Sequence, residues 1–201
     1  MAAPARSMFG SGVRAAKATR AVLADGVALS VVPGSQLSDA GRDEVVALCS
    51  EAYEVDFSEY LAWLRGVTHV FARERGGRLV SHACWVTRWL QPGTGPLLRT
   101  AYVEAVATAA DARNRGLASA VMRQIARAIR DYDIGALSPT TVPIYKRLGW
   151  RRWRGPLFVR TDAGIEPSPD DEGCMILRLP KTPPLDVTQP LSVEWRLGEI
   201  W

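Results

Sequence analysis

Cysteine is scarce in this chain: Cys49, Cys84 and Cys174 are an odd number, widely spaced, with no Cys-x-x-Cys among them. A disulfide framework needs paired cysteines and a structural zinc site needs clustered ones, so neither is expected, and the usage fits a reducing cytoplasm. Histidine is scarcer still, with only His69 and His82. His82 shares its strand face with Val80, Cys84 and Val86 and reads as a hydrogen-bonded core residue in preference to a base. No apolar run approaches the ~20 residues of a membrane helix, and near the N-terminus only Ala21-Val-Leu-Ala24 forms an apolar block. Neither a membrane span nor a secretory signal is expected. Acids are missing ahead of Asp25, while Arg6, Arg14, Lys17 and Arg20 precede it. Residues 1–26 therefore read as a flexible extension, and no function is assigned to them. The net charge is +4 and the pI about 9.2. Beyond residue 39 the bases are interleaved with acids, which argues against a nucleic-acid surface.

What remains, residues 27–201, is long enough for one well-buried domain, and the 47% hydrophobic content agrees. Tyr102-Val-Glu-Ala-Val-Ala-Thr108 alternates large and small residues, which predicts a strand with Glu104 on the face of Tyr102, Val106 and Thr108 and with alanines on the other. A carboxylate in mid-strand needs a reason. The chain then turns through Asp111-Ala-Arg-Asn-Arg115, and from Gly116 a helix is predicted, because Leu117, Val121, Ile125 and Ile129 recur every four residues. At such a helix start the unpaired N–H groups and the dipole suit a phosphate, and Gly116 and Ala118 are small enough to admit one. Taken alone, that string fits an ordinary helix start equally well.

The other elements follow from pattern. Val27–Val32 reads as a strand closed by Pro33-Gly34, and Leu37-Ser38 as the staple and cap of a helix with Val45, Leu48, Cys49 and Tyr53 inward. A shorter helix passes through Glu59, Tyr60 and Trp63, and Asp56 is suited to cap it. Arg75-Gly-Gly-Arg78 joins two strands as a hairpin, and Gln91–Pro96 turns into the Glu104 strand. A short strand at Ile134–Leu137, a helix carrying Tyr145 and ending at Gly149-Trp150, a strand from about Arg152 to Val159 and another at Cys174–Leu179 complete the order.

Arg113-Asn-Arg-Gly-Leu-Ala118, between the Glu104 strand and Ile144-Tyr-Lys-Arg-Leu-Gly-Trp150, resembles the acetyl-CoA loop of the GCN5-related N-acetyltransferases. Tyr102-Val-Glu104, Gly135-Ala-Leu-Ser138, Gly149-Trp150, Pro169-Asp-Asp-Glu-Gly173 and the closing Glu194-Trp-Arg-Leu-Gly-Glu-Ile-Trp201 are similar to the aminoglycoside 2'-N-acetyltransferases within them. The similarity spans about residues 27–201. It implies an α/β (α+β) fold whose mixed, mostly antiparallel sheet splays around acetyl-CoA, flanked by helices. It also implies a homodimer, and a metal-free transfer of acetyl to an amine.

The resemblance assigns roles as well. Glu104 becomes the base or amine anchor and Tyr145 the acid for the leaving sulfur. The backbone N–H of Val106, with Thr108, Arg113, Asn114, Arg115, Gly116, Leu117 and Ala118, would hold acetyl-CoA. Asp56, Glu104, Ala105, Ser138, Asp171, Glu199 and Trp201 would line a negative acceptor cleft that draws in a polycationic sugar. Two departures bear on that acceptor: Ala105 stands where mycobacterial-type members have Gly, and Glu199 replaces an Asp. They turn the expectation toward an unusual aminoglycoside such as kasugamycin. A protein or polyamine N-acetyltransferase, or a non-catalytic acyl-CoA-binding module, are the rival readings.

Overall fold

In the computed structural model, residues 20–23, 25–139, 141–168 and 173–201 are described. The elements run β1 (Arg20–Val22), β2 (Ala28–Pro33), α1 (Asp39–Tyr53), α2 (Ser58–Trp63), β3 (Thr68–Arg73), β4 (Leu79–Pro92), β5 (Leu98–Thr108), α3 (Leu117–Ala128), β6 (Ile134–Leu137), α4 (Val142–Arg147), β7 (Arg151–Arg152), β8 (Leu157–Thr161), β9 (Gly164–Pro167), β10 (Met175–Arg178) and β11 (Leu191–Glu194). The main sheet is ordered β1-β2-β3-β4-β5-β6-β10-β7, and β11 joins the far end of β4 to the β8–β9 hairpin. Pairing is antiparallel except between β5 and β6 and between β8 and β11. This is the mixed, mostly antiparallel α/β sheet that the family resemblance implies.

Local chemistry explains most boundaries. Ser38 Oγ accepts from Gly41 N at 3.2 Å and starts α1. Gly77 N donates to Glu74 O at 2.8 Å and closes the predicted β3–β4 turn. On α3 the stripe Leu117, Val121, Ile125 is fully buried, and Ile129 follows it into the core. The sheet's other face buries Tyr102, Leu90, Ile134, Ile176, Leu191 and Trp201. Ala101, Val103, Ala105 and Ala107 lie on the helix side, where small side chains let α1 and α3 approach the strand.

Three features differ from the sequence reading. The sheet reaches back to residue 20, because β1 pairs with β2 ahead of the boundary expected at residue 26. The single strand expected near Arg152–Val159 is split into β7 and β8, with Trp153 N turned to Cys174 O and Arg154 N to Val187 O between them. No strand is predicted for β9 or β11: Gly164-Ile-Glu-Pro167 is short and exposed, and Leu191–Glu194 is only four residues following Pro190.

The bend in β5 matters most. Thr100–Tyr102 pairs with β6, and past Tyr102 that ladder ends. On the other side the register with β4 shifts between His82 and Cys84, so Ala105 and Val106 together face one residue, a β-bulge. Ala105 takes φ of +51°, a left-handed conformation that costs a non-glycine residue about 1–2 kcal/mol. Ala105→Gly relieves that strain and loses part of the gain to a freer unfolded chain. The net is a stabilisation of roughly 0.5–1 kcal/mol, a rise of about 2 °C in Tm by calorimetry.

Candidate functional site

The splay between β5 and β6 opens into a cavity of about 270 Å³. Its wall includes Glu104, Ala105, Val106, Ser138, Tyr145, Glu199 and Trp201, seven residues singled out in the sequence, and adds Tyr53, Phe57 and Tyr60. Tyr53 and Val106 also line an adjoining open groove with Thr108 and Arg113, so the two spaces meet at the bulge.

Glu104 is only 6% exposed, and its two oxygens have different neighbours. Tyr60 donates its phenolic proton to Oε2. Arg196 Nη2 lies 2.7 Å from Oε1, an ion pair in which neither of those two atoms makes an aligned hydrogen bond. Burial raises the Tyr60 pKa and the Glu104 charge raises it further, so the phenol stays a donor. Burial opposes the charge on Arg196, but Glu104 together with the neighbouring Tyr60 and Tyr102 outweighs it and raises the pKa, so the guanidinium stays cationic. Tyr145 is buried on α4, and burial pushes its pKa up to about 12. Tyr53 reaches from α1 to donate to Val106 O at 3.1 Å.

The C-terminal tail completes the wall. Arg88, almost fully buried, donates to Glu194 Oε1 at 2.8 Å and to Ile200 O at 2.9 Å. Gly198 takes φ of +85°, and a Cβ there would meet Trp63 of α2 at 2.5 Å, so the tail crosses that indole on a glycine. Trp201 is thereby brought to 4% exposure, its indole N–H without a hydrogen-bond partner among the described residues.

On the groove side, Gly116 (φ +75°) precedes α3, and among the described residues no side chain caps the helix start and a Cβ added at Gly116 would meet nothing within 4 Å. Open space over uncapped N–H groups at the start of a twelve-residue helix suits an anionic pyrophosphate. Asn114 (φ +64°) and Ala118 flank that start, whereas the Leu117 side chain is buried and offers only its backbone. Arg115 is turned away, paired to Glu74 at 2.7 Å and Asp25 at 3.1 Å.

Two expected acceptor residues are not placed at the cavity. Asp56 is exposed, one residue ahead of the α2 N-cap Phe57, and accepts from Ser58 N at 2.9 Å; among the described residues no side-chain cap hydrogen bond is made at Phe57. Asp171 lies outside the described residues. Sequence reasoning missed Tyr53, Tyr60 and Arg196 as wall and partner residues. The one available signal was Glu104 itself, since a buried mid-strand carboxylate calls for a cation and a donor from distant elements.

A splayed β5–β6 pair, a bulge beside it and an open helix start form the architecture of an acyl-group transferase. The chain belongs to the GNAT acetyltransferases: residues 35–153 match the family described as Acetyltransferase (GNAT) domain. An aminoglycoside 2'-N-acetyltransferase of Mycolicibacterium fortuitum is 38% identical over 179 residues, covering 85% of this chain and 90% of that protein. The Escherichia coli GNAT family N-acetyltransferase YhbS, solved in complex with CoA, superposes with a TM-score of 0.57 at 14% identity, over 84% of this chain and 92% of that one. Eis1 of Mycobacterium abscessus gives a TM-score of 0.53 at 19% identity over 65% of this chain, which spans about a third (32%) of that protein. At these identities the two structures bear on the fold alone.

Proposed function

We propose that this protein transfers the acetyl group of acetyl-CoA to an amine of an aminoglycoside, at the 2' position, and acts as a homodimer in antibiotic resistance. The observation that carries this reading is the single cavity walled by Glu104, Val106, Tyr145, Glu199 and Trp201, continuous at Val106 with the groove of Thr108 and Arg113. The similarity to the M. fortuitum enzyme supports the substrate class.

Acetyl-CoA supplies an activated thioester. Gly116, Ala118, Asn114, Thr108 and Arg113 would hold its phosphate arm, and the Val106 N–H would donate to its carbonyl oxygen. Glu104 takes a proton from the acceptor ammonium through Oε1, freeing the nitrogen lone pair for attack. As the C–S bond breaks, the sulfur accepts a hydrogen bond from Tyr145. With its pKa near 12 against ~8.5 for a thiol, the phenol stabilises the departing thiolate as a donor, and the second proton, shed by the attacking nitrogen as the amide forms, ends on that sulfur. Ser138, Glu199 and Trp201 line the same cavity, and they would read a second ammonium of the acceptor, Trp201 through its terminal carboxylate. The Ala105 methyl and the longer Glu199 arm narrow that space, which favours an unusual aminoglycoside such as kasugamycin.

The test is thiol release from acetyl-CoA over a panel of aminoglycosides including kasugamycin, polyamines and peptides, with mass detection of the modified position. A 2'-acetylated aminoglycoside is the expected product. Acetylation confined to polyamines or peptide amines replaces the substrate class, and no thiol release with any amine reduces the chain to an acyl-CoA-binding module.

A further inference from the structure

Beneath α1, the side chains of His69 and His82 form a directed hydrogen-bond chain that ends on the bulge. His82 Nδ1 lies 2.9 Å from Ala105 O, and His82 Nε2 lies 2.9 Å from His69 Nδ1. A carbonyl oxygen only accepts, so His82 carries its proton on Nδ1, Nε2 is left as an acceptor, and His69 Nδ1 must donate to it. Both rings are buried, and burial holds both neutral, with pKa values pushed down to about 4 for His69 and about 3 for His82. Their ligand atoms and Cys84 Sγ lie within 4.8 Å of one another, the spacing of a metal seat. Both nitrogens of His82 are already committed, however, and burial raises the Cys84 thiol pKa well above its ordinary value. The cluster is a hydrogen-bond chain.

Its target is informative. The Ala105 carbonyl and the Val106 N–H belong to one planar peptide unit and point in opposite directions, so whatever fixes the oxygen also aims the N–H. The next two carbonyls are held the same way: Val106 O accepts from Tyr53 at 3.1 Å and Ala107 O from Ser81 Oγ at 3.0 Å. Side chains on α1 and β4 thus hold three consecutive carbonyls in the stretch where the ladder to β6 has ended and Ala105 sits in a left-handed conformation.

We propose that His82, supported by His69, is a positioning residue that locks the Ala105–Val106 peptide so that the Val106 N–H points into the splay, at the thioester oxygen. This rests on the transfer reading above. His82→Leu is expected to lower kcat about tenfold with KM for acetyl-CoA changed less than twofold, and to shift the Val106 amide in the ¹H–¹⁵N spectrum of the folded protein. Adding Ala105→Gly to that variant, which makes the bulge conformation free of steric strain, is expected to restore at least a third of the lost kcat. An unchanged kcat and an unmoved Val106 amide, with only Tm lowered, would make His82 an ordinary core residue and overturn the proposal. If His82→Leu does not fold, the wild type decides, since ¹⁵N resonances of the His82 ring must show the proton on Nδ1, and a proton on Nε2 is incompatible with the chain. If the wild type transfers acetyl to no amine, the transfer reading fails. The ring tautomer and the amide shift then still report whether His82 sets the peptide.

Discussion

Glu104→Gln lowers kcat at least tenfold, and by ~10²–10⁴-fold if Glu104 takes the proton directly. The amide keeps the shape of the carboxylate and an oxygen for Tyr60 to donate to, so the geometry of the cavity wall is kept, while Arg196 loses its counter-charge and Tm falls. It cannot accept the ammonium proton, and its neutral oxygen no longer attracts the cationic acceptor. Thr108, Arg113 and Gly116 lie along the adjoining groove and helix start, so binding of acetyl-CoA is expected to stay within about twofold. Steady-state kinetics with an acceptor from the panel, paired with a calorimetric titration of the nucleotide, separates the two effects. Unchanged turnover removes Glu104 from the chemistry. A parallel loss of nucleotide affinity makes it a structural residue of the splay.

The sequence made the central part of this site legible because strands and helices carry their periods openly. The alternation over residues 101–108 placed Glu104 opposite the alanines, and the four-residue stripe from Leu117 to Ile129 placed Gly116 at the start of α3. Tyr145 and the Gly149-Trp150 ending were equally readable, since a short helix stopped at a left-handed glycine leaves a local signature. What escaped was set by distance along the chain. Tyr60 and Arg196 meet at Glu104 across 44 and 92 residues, and no local pattern records that encounter. The bulge escaped as well, because alanine at a positive φ gives no sign of itself where a glycine would have done so. Arg115 shows a further gap: it fits a phosphate-loop string, while in the structure its guanidinium pairs with Glu74 and Asp25. A string fixes which side chain is present and leaves its partners to the fold.

Arg196→Met is expected to be the most destabilising single change at the site. Glu104 is 6% exposed and the Arg196 side chain 18% exposed, so the pair sits largely out of water. Removing one member of such a pair leaves the other charge uncompensated, which typically costs about 3–5 kcal/mol. In a chain of 201 residues the lower figure corresponds to a fall in Tm of roughly 6–12 °C. The double variant Glu104→Gln with Arg196→Met removes both charges, and it is expected to recover most of that loss as a positive coupling in the cycle. Calorimetry on the four proteins measures it, and a single variant within 1–2 °C of wild type by the same scale would show the charges to be solvated. The pair also bears on function. An acceptor ammonium that reaches Glu104 Oε1 must share it with the guanidinium 2.7 Å away, so the cation of the tail acts as a counter-ion held in place until a substrate arrives. Below its melting transition, Arg196→Met is therefore expected to lower KM for a cationic acceptor severalfold, and the folding contribution of the tail and its competition for the carboxylate then appear as opposite changes in one protein.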